Sequence, residues 1–421
     1  MTGSTVSLDS IEVGNQIVAT ETYSDPTRYH ALLTRLRSEA PVFRAAPDGY
    51  QPFWMVTRHA DIRDVELKAA TFINAPRLVL RSDALNAHIC KLTGGRPFMF
   101  LNLTNMDGAQ HNAFRKMTHS WFLPAKVKKL EEEIRKHART YIDRMLAMGG
   151  ECDFARDVAV WYPLRVIMTI LGVPAEDEPK MLMLTQQLFG TDDPEIKGEL
   201  KGDLIETINS FFEYFREIIA DRRANPTDDV ATVIAQAEVD GRPLTEQEIL
   251  SYYILIATAG HDTTSSTTAG AMHALAQNPE QYAMLRADPT LLPKAIDEML
   301  RWVTPVTHFF RTATEDAVVG GQEIKAGESL LMCYPSANRD ETVFDDPFRF
   351  DIKRAAATHL SFGYGPHVCL GQHLAKLEIR IFFEEFLKSV EKVELNGDPA
   401  WLAANFVGGL KRLPIRFQAA A

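Results

Sequence analysis

Residues 362–371 hold the side chains of this sequence that are best suited to metal chemistry. They are Phe-Gly-Tyr-Gly-Pro-His-Val-Cys-Leu-Gly, and an amphipathic helix is predicted directly after them. The glycines allow a tight turn and a close approach of the backbone to a flat partner. Cys369 falls at the start of the predicted helix, where unpaired N–H groups and the helix dipole favour a thiolate over a thiol. A lone cysteine thiolate is typical of heme-iron ligation.

Two simpler interpretations of this segment stay open at this point. A lone cysteine in a glycine-rich turn is often a buried free thiol. His367, Cys369 and His373 would also suit zinc, but a structural zinc site needs four ligands. The chain has no CxxC or HxxxH pair to complete such a site.

Residues 259–264, Ala-Gly-His-Asp-Thr-Thr, interrupt an otherwise apolar helical pattern. Glycine and β-branched hydroxyl residues are poor helix formers, and hydroxyl side chains compete for backbone hydrogen bonds. Such a conflict with the local fold is expected at a functional site. Asp262 and Thr263 offer a carboxylate and a hydroxyl that could relay protons through water in a dry pocket. The simpler alternative is a helix kink.

A third motif is Glu298-Met-Leu-Arg301, on a helix that is predicted to end at Thr304. The i, i+3 spacing puts the carboxylate and the guanidinium on one face, where they could form a buried, hydrogen-bonded pair. Alone, such a pair is common on exposed helices and indicates little. The three motifs together, in this order, are highly specific.

The elements that must position these motifs are mostly helices. Apolar residues at steps of three and four predict one helix after Pro124, a second through residues 208–219 and a third over residues 246–277. The third begins with Thr245 and Glu248, the spacing of a capping box, and its apolar centre should be buried. Residues 41–57 and 316–334 predict short strands joined by turns. The polar residues 1–25 predict a loosely ordered arm.

Composition narrows the class of protein. The 421 residues include 45 Lys and Arg against 56 Asp and Glu, a net charge of −11, and 46% of them are hydrophobic. A chain of this composition can build a hydrophobic core, and its net negative charge does not indicate nucleic-acid binding. Four irregularly spaced cysteines do not form a disulfide framework. We see no signal peptide and no apolar run of about 20 residues, so we expect a cytoplasmic protein without a membrane span.

With these motifs, the sequence resembles the cytochrome P450 family of heme-thiolate monooxygenases from about residue 25 to its end. It is most similar to soluble bacterial members of the α-terpineol hydroxylase type. The segments that carry the resemblance are residues 151–174, 256–270, 334–344, 369–385 and 405–417. Length alone suggests two or three domains. The resemblance instead implies one triangular heme domain over residues 26–421, mainly α with small β-sheets.

The resemblance also assigns roles to individual residues. It makes Cys369 the iron ligand, Asp262 and Thr263 the catalytic pair that supplies protons, and Glu298 and Arg301 structural. The further heme-binding positions are His111, Arg115, Ala259, Gly260, Arg311, Phe362, His367 and Gly371, among which His111, Arg115, Arg311 and His367 match the propionate partners. We expect Met99, Phe100, Leu255, Val306 and Phe309 to line the substrate pocket, with residues 185–189 above it. His261 receives no role.

The reaction that the resemblance implies takes dioxygen and two electrons, inserts one oxygen atom into a C–H bond and releases water, with heme b as cofactor. The chain has no GxGxxG or GxxxxGK motif and no cysteine spacing for an iron–sulfur cluster. Electrons must therefore come from other proteins, a [2Fe–2S] ferredoxin and its NAD(P)H-dependent reductase. We expect a monomer that acts on a small hydrophobic substrate, a monoterpenoid such as α-terpineol or an alkylaromatic. A larger aromatic or polycyclic hydrocarbon is one alternative, and a heme-binding protein without turnover is another.

Overall fold

Helices make up most of the computed structural model, which describes residues 8–189, 193–199, 204–355 and 357–420. The helices are α1 Ser10–Val18, α2 Pro26–Glu39, α3 His59–Leu67, α4 Asp83–Leu92, α5 Gly108–His119, α6 Pro124–Val127, α7 Glu131–Leu146, α8 Trp161–Ile170, α9 Glu178–Phe189, α10 Pro194–Glu199, α11 Leu204–Ala224, α12 Val230–Ala235, α13 Glu246–Ala259, α14 Asp262–Gln277, α15 Pro279–Ala287, α16 Leu292–Val303, α17 Tyr334–Ala337 and α18 Gln372–Ser389. None of these helices is long and apolar enough to cross a lipid bilayer.

The strands are short and form small sheets. They are β1 Val42–Ala45, β2 Phe53–Val56, β3 Phe72–Ile73, β4 Glu151–Asp153, β5 Glu238–Val239, β6 Arg242–Pro243, β7 His308–Ala313, β8 Ala317–Val319, β9 Gln322–Ile324, β10 Ser329–Cys333, β11 Val390–Leu395, β12 Ala400–Trp401, β13 Leu410–Arg412 and β14 Pro414–Ala419. The largest sheet has the order β1-β2-β10-β7-β3, and β11-β14-β4 form a second. Only β2 and β10 pair in parallel in the large sheet; its other pairs are antiparallel. The mainly α class with small sheets is confirmed.

The expected capping box is present at the start of α13. The Thr245 hydroxyl accepts from the Glu248 N–H at 3.3 Å, and the Glu248 carboxylate accepts from the Thr245 N–H at 2.8 Å. The predicted continuous helix over residues 246–277 is nevertheless wrong, because α13 ends at Ala259 and α14 starts at Asp262. A Cβ on Gly260 would lie 2.3 Å from the Ile167 side chain of α8. Glycine is therefore needed at the break, where α8 approaches the backbone most closely.

The other predicted elements are found with small changes. The helix after Pro124 is α6 and α7 with a 3₁₀ turn at Lys128–Leu130 between them, and the helix through residues 208–219 lies within α11. The predicted strands appear as β1 and β2, and as β8, β9 and β10. Packing of α14 against α8, α16 and α18 places the helix break beside the segment that follows Ser361.

The N-terminal segment differs from the expected loose arm. Residues 1–7 lie outside the described residues, but the prediction is wrong for residues 10–24. Asp9 caps α1 by accepting from the Ile11 and Glu12 N–H groups at 2.9 and 2.8 Å. Val13 and Ile17, one helical turn apart, are buried in a core with strands β1 and β2. Because most of the segment is polar, its composition did not indicate the apolar stripe that Val13 and Ile17 form.

Candidate active site

A cavity lies where the cysteine loop and the helix break meet. Its walls come from α5, α13, α14, β7 and α18 and from the loop that carries Cys369. The volume open to the centre of a water-sized sphere is about 240 Å³. The lining combines mostly apolar side chains with a few polar and charged ones, as is typical of small-molecule sites.

Cys369 lies on the cavity wall, just before α18 begins. Its N–H donates to the Phe362 carbonyl at 2.9 Å, and the backbone N–H groups of Gly371 and Gln372 hydrogen-bond to its sulfur. The sulfur is accessible from the cavity, and protein surrounds it on its other sides. This burial raises the pKa of the Cys369 thiol, and Arg115 and the two N–H groups offset only part of the effect. The N–H groups at the helix N-terminus thus act in the expected direction, and coordination to a metal ion would deprotonate the thiol.

Glycine occupies three positions of the cysteine loop, residues 362–371, for different structural reasons. Gly363 and Gly365 both have φ near +68°, a region that favours glycine. A Cβ on Gly365 would also lie 2.5 Å from the backbone oxygen of Glu66. Gly371 differs from both, because a Cβ there would meet no protein atom within 4 Å. The open space beside Gly371 on the cavity wall fits a flat group stacked on the loop.

The four predicted propionate partners all line the cavity. His111 and Arg115 lie one turn apart on α5, Arg311 lies on β7 and His367 lies in the cysteine loop. The rings of His111 and His367 are 4.0 Å apart, and the Asn74 amide lies 3.1 Å from His367 Nδ1. Burial, with the charges of His111, Arg311 and Arg115, lowers the pKa of His367 to about 3. His367 is therefore a neutral hydrogen-bonding group, and the two arginines supply the positive charge.

Thr263 and Asp262 face different surroundings. Ala259, Gly260 and Thr263 line the cavity, and the Thr263 hydroxyl donates to the Ala259 carbonyl at 2.9 Å. Asp262 does not line the cavity; its carboxylate lies 3.2 Å from Nδ1 of His261. His261 is fully buried, and its Nε2 lies 2.9 Å from the Val160 carbonyl. The structure thus brings Thr263, but not Asp262, to the site.

Glu298 and Arg301 form a buried pair outside the cavity. Glu298 accepts from Nε and Nη2 of Arg301 at 2.7 and 2.8 Å, and both side chains are 2% exposed. Arg301 Nη1 donates to the Asn338 carbonyl at 2.8 Å. The Asn338 side chain accepts from the Leu360 N–H and donates to Ser361 Oγ, at 2.7 and 2.9 Å. This hydrogen-bonded chain connects α16 to the residues that precede Phe362.

The predicted substrate-pocket residues divide into two groups. Leu255, Val306 and Phe309 line the cavity. Met99 and Phe100 do not, so their prediction as lining residues is not supported by the structure. The Phe100 ring packs against Phe212 at 6.0 Å instead. Phe212 lies on α11, and local composition cannot separate such packing on protein from contact with a substrate.

Several cavity residues were missed by the sequence analysis. Glu66, Asn74, Tyr334 and Glu378 all line the cavity. Glu378 could have been found, because an acidic residue four positions after Leu374 falls on the apolar face of α18. Burial raises the pKa of Glu378 well above its usual range. Glu66, Asn74 and Tyr334 reach the cavity only because distant parts of the chain pack together, and no local spacing in the sequence indicates them.

The cavity residues fit a heme better than a zinc ion. In the part of the chain that the structure describes, no group of three His, Cys, Asp or Glu side chains could hold a metal ion. The zinc alternative therefore finds no support. One accessible thiol, two arginines with two hydrogen-bonding histidines, and the open surface beside Gly371 line the same cavity and match a flat, anionic, iron-containing cofactor.

Comparison with known proteins identifies the class. The family model described as cytochrome P450 matches residues 164–401 of this chain. The chain therefore belongs to the cytochrome P450 family, whose members use heme and dioxygen for monooxygenation, and it is an oxidoreductase of this kind.

Individual relatives cover nearly the whole chain. Cytochrome P450-terp from a Pseudomonas species is 45% identical over 96% of this chain and 97% of its own length. Linalool 8-monooxygenase from Pseudomonas putida is 32% identical over 92% and 95%, and a steroid C26-monooxygenase from Mycobacterium tuberculosis is 35% identical over 91% and 98%. The crystal structure of CYP108D1 from Novosphingobium aromaticivorans is 44% identical, with a TM-score of 0.91 over 97% of this chain and 98% of that one.

Proposed function

We propose that this protein hydroxylates a small terpenoid, using electrons from a [2Fe–2S] ferredoxin and its NAD(P)H-dependent reductase. The reaction converts R–H, dioxygen, two electrons and two protons into R–OH and water. The observation that carries the proposal is an apolar wall, formed by Leu255, Val306 and Phe309, in the same cavity as the Cys369 thiol and the Thr263 hydroxyl. The names of two relatives, P450-terp and linalool 8-monooxygenase, favour terpenoids.

The roles of the chain's own residues follow from their positions. Thiolate-ligated heme iron supplies the activation of dioxygen when it is bound. Cys369 would provide the thiolate, and Arg115 and Arg311 would pair with the propionates. His111 and His367 would complete that contact with hydrogen bonds. Because all five line one cavity, a single cofactor can satisfy them together.

Thr263 would deliver protons within the cavity. Its hydroxyl already donates to the Ala259 carbonyl, so its oxygen remains free to accept a hydrogen bond from water. Asp262 lies outside the cavity wall, and we propose that it feeds the Thr263 oxygen through water rather than by direct contact. The apolar residues around Thr263 would exclude other water and so limit proton entry to this route.

The face outside the cysteine loop would receive the ferredoxin. Lys376 on α18 lies with its ammonium 5.9 Å from the Phe362 ring and pairs with Asp297 at 2.7 Å. His119 and His373 lie near Lys376, since the charges of Lys376 and His119 both lower the pKa of His373. Lys116, Lys128 and Lys129 are exposed and could also contribute, whereas Lys126 pairs with Asp228 and Arg115 lines the cavity. We also propose a monomer with one heme domain, acting in the cytoplasm, where NAD(P)H and ferredoxin are available.

The test combines a spectrum, a binding titration and turnover. The reduced, carbon monoxide-treated protein should give the red-shifted Soret band of thiolate-ligated heme. Monoterpene alcohols should then shift the ferric spin state more strongly than alkylbenzenes or steroids, and ferredoxin-supported turnover should give one hydroxylated product. Strong binding and turnover of a steroid only would favour the polycyclic alternative. A red-shifted band with no turnover of any compound would contradict the proposed activity.

A further inference from the structure

Glu66 is a buried acid at the cavity wall that no part of the proposed reaction uses. It lies at the C-terminal end of α3 and is 2% exposed. Its Oε1 accepts from Arg311 Nη2 at 2.9 Å and from the Tyr334 hydroxyl at 2.7 Å. A carboxylate in such a position costs desolvation energy that must be offset by its partners. Its presence there calls for a role at the site.

The second oxygen of Glu66 makes no direct hydrogen bond to a described residue. Oε2 is buried and has no hydrogen-bond partner among the described residues, although Glu66 lines the cavity. The backbone N–H of Tyr364 also faces this carboxyl group and, with Arg311 and Tyr334, lowers its pKa against the larger raising effect of burial. The geometry of this contact is fixed, because the Glu66 backbone packs directly on Gly365.

Arg311 is the group through which Glu66 would act. A guanidinium has five N–H bonds in a rigid plane. Nη2 of Arg311 donates to Glu66, Nη1 donates to the Phe310 carbonyl at 2.8 Å, and the Tyr334 hydroxyl also lies within hydrogen-bonding reach of the guanidinium. These contacts use at most three of the five N–H groups, so donors remain on a side chain that lines the cavity. Glu66 holds the plane of the guanidinium and also places a negative charge beside the cofactor.

We propose that Glu66 is a positioning residue that orients Arg311 toward a heme propionate and keeps a buried negative charge near the heme. The proposal rests on the proposed role of Arg311 as a propionate partner. Reduction adds one electron to the ferric heme, so a nearby fixed anion disfavours the ferrous state. Glu66 would thereby lower the reduction potential and set how readily ferredoxin delivers the first electron.

The test measures the midpoint potential of the heme-loaded full chain without substrate or ferredoxin. Glu66→Gln keeps the shape of the side chain and removes its charge. We expect the ferric–ferrous equilibrium to move at least tenfold toward ferrous heme, which is about 59 mV more positive for a one-electron couple. Glu66→Asp retains the charge and should restore a potential close to that of the wild type.

A matched control is Glu385→Gln on α18. Glu385 is also buried and paired with arginines, Arg135 and Arg139, but it does not line the cavity. Its variant should leave the potential unchanged. An unchanged potential in Glu66→Gln, or an equal shift in Glu385→Gln, would overturn the proposal.

The proposal remains testable if Glu66→Gln loses heme. Glu66→Asp must then retain heme at the wild-type potential; an Asp variant that loses heme equally would overturn the proposal, because retaining the charge would not preserve the site. The potential is measured without substrate or ferredoxin, so it does not depend on whether the substrate assignment is correct. A failure of that assignment would appear only in turnover.

Discussion

Replacing Thr263 by alanine tests the proposed proton delivery. The change removes the hydroxyl that faces the cavity and leaves Cys369, the propionate partners and the apolar wall in place. Substrate binding and the first electron transfer should be close to those of the wild type. Without the hydroxyl to order proton-carrying water, activated oxygen should be lost as hydrogen peroxide. NADH is then still consumed, while the product formed per NADH falls.

The structure indicates that stability will change little. The variant loses one hydrogen bond, from Thr263 Oγ1 to the Ala259 carbonyl at 2.9 Å, and such a bond contributes about 1 kcal/mol. Alanine has a helix propensity better than that of threonine by roughly 0.5 kcal/mol, so the two effects largely offset each other. General acid catalysis is worth roughly 10²–10⁴-fold in rate. We therefore expect at least a tenfold fall in product per NADH, about 1.4 kcal/mol, which unfolding cannot explain.

Thr268→Ala is the control for this experiment. The Thr268 hydroxyl donates to the Thr264 carbonyl at 2.8 Å on the same helix, but Thr268 does not line the cavity. The Thr268→Ala variant should keep the wild-type amount of product per NADH. Thr263→Ser, which keeps the hydroxyl, should recover most of the product. Product, peroxide and NADH are measured in one reaction for each variant. Full coupling in Thr263→Ala would refute the reasoning and make Thr263 only part of the helix break.

Four other predictions test separate parts of the site. Cys369→His should retain heme but lose oxygenation and the red-shifted carbon monoxide band; a retained band would mean that another cysteine binds the iron. Asp262→Asn should slow oxygen-dependent turnover while product per NADH stays high, which stopped-flow kinetics and coupling measurements can separate from the Thr263→Ala behaviour. Lys376→Glu should slow heme reduction by ferredoxin, and this loss of rate should shrink as the salt concentration rises. The control Lys388→Glu, about 18 Å along the same helix, should not slow it. Equal effects of the two variants would exclude the proposed docking face. Glu298→Gln should lower the free energy of unfolding by about 3 kcal/mol, since it leaves the buried Arg301 without its charged partner; urea titration of the heme-loaded protein measures this loss, and a change under 1 kcal/mol would contradict it.

The sequence revealed those parts of the site that are local in the chain. Cys369 and its glycines, the helix interruption before Thr263 and the Glu298/Arg301 spacing were found because unusual residue types occur within a few positions of one another. The capping box at Thr245 was found for the same reason and is confirmed. Such features depend on backbone geometry over one or two turns, which sequence reports directly.

The remaining parts depend on long-range packing. Glu66 is separated from Arg311 by 245 positions and from Tyr334 by 268, so no periodicity connects them. The assignment of Met99 and Phe100 to the pocket failed because apolar residues in a loop pack on protein as readily as on a substrate. The sequence indicated the N–H groups that favour a thiolate at Cys369, but not the opposing effect of burial by distant segments.

Two buried acid–arginine pairs connect to the N-terminal part of the cysteine loop. Glu298 and Arg301 connect through Asn338 to the residues before Phe362. Glu66, bound to Arg311, packs through its backbone on Gly365. Buried ion pairs add little stability over well-packed apolar residues, so stability alone does not account for either. Directional hydrogen bonds fix a loop more closely than apolar contacts do. The first pair lies outside the cavity and serves geometry alone, whereas the second lies on its wall, where the same contact also brings charge to the cofactor.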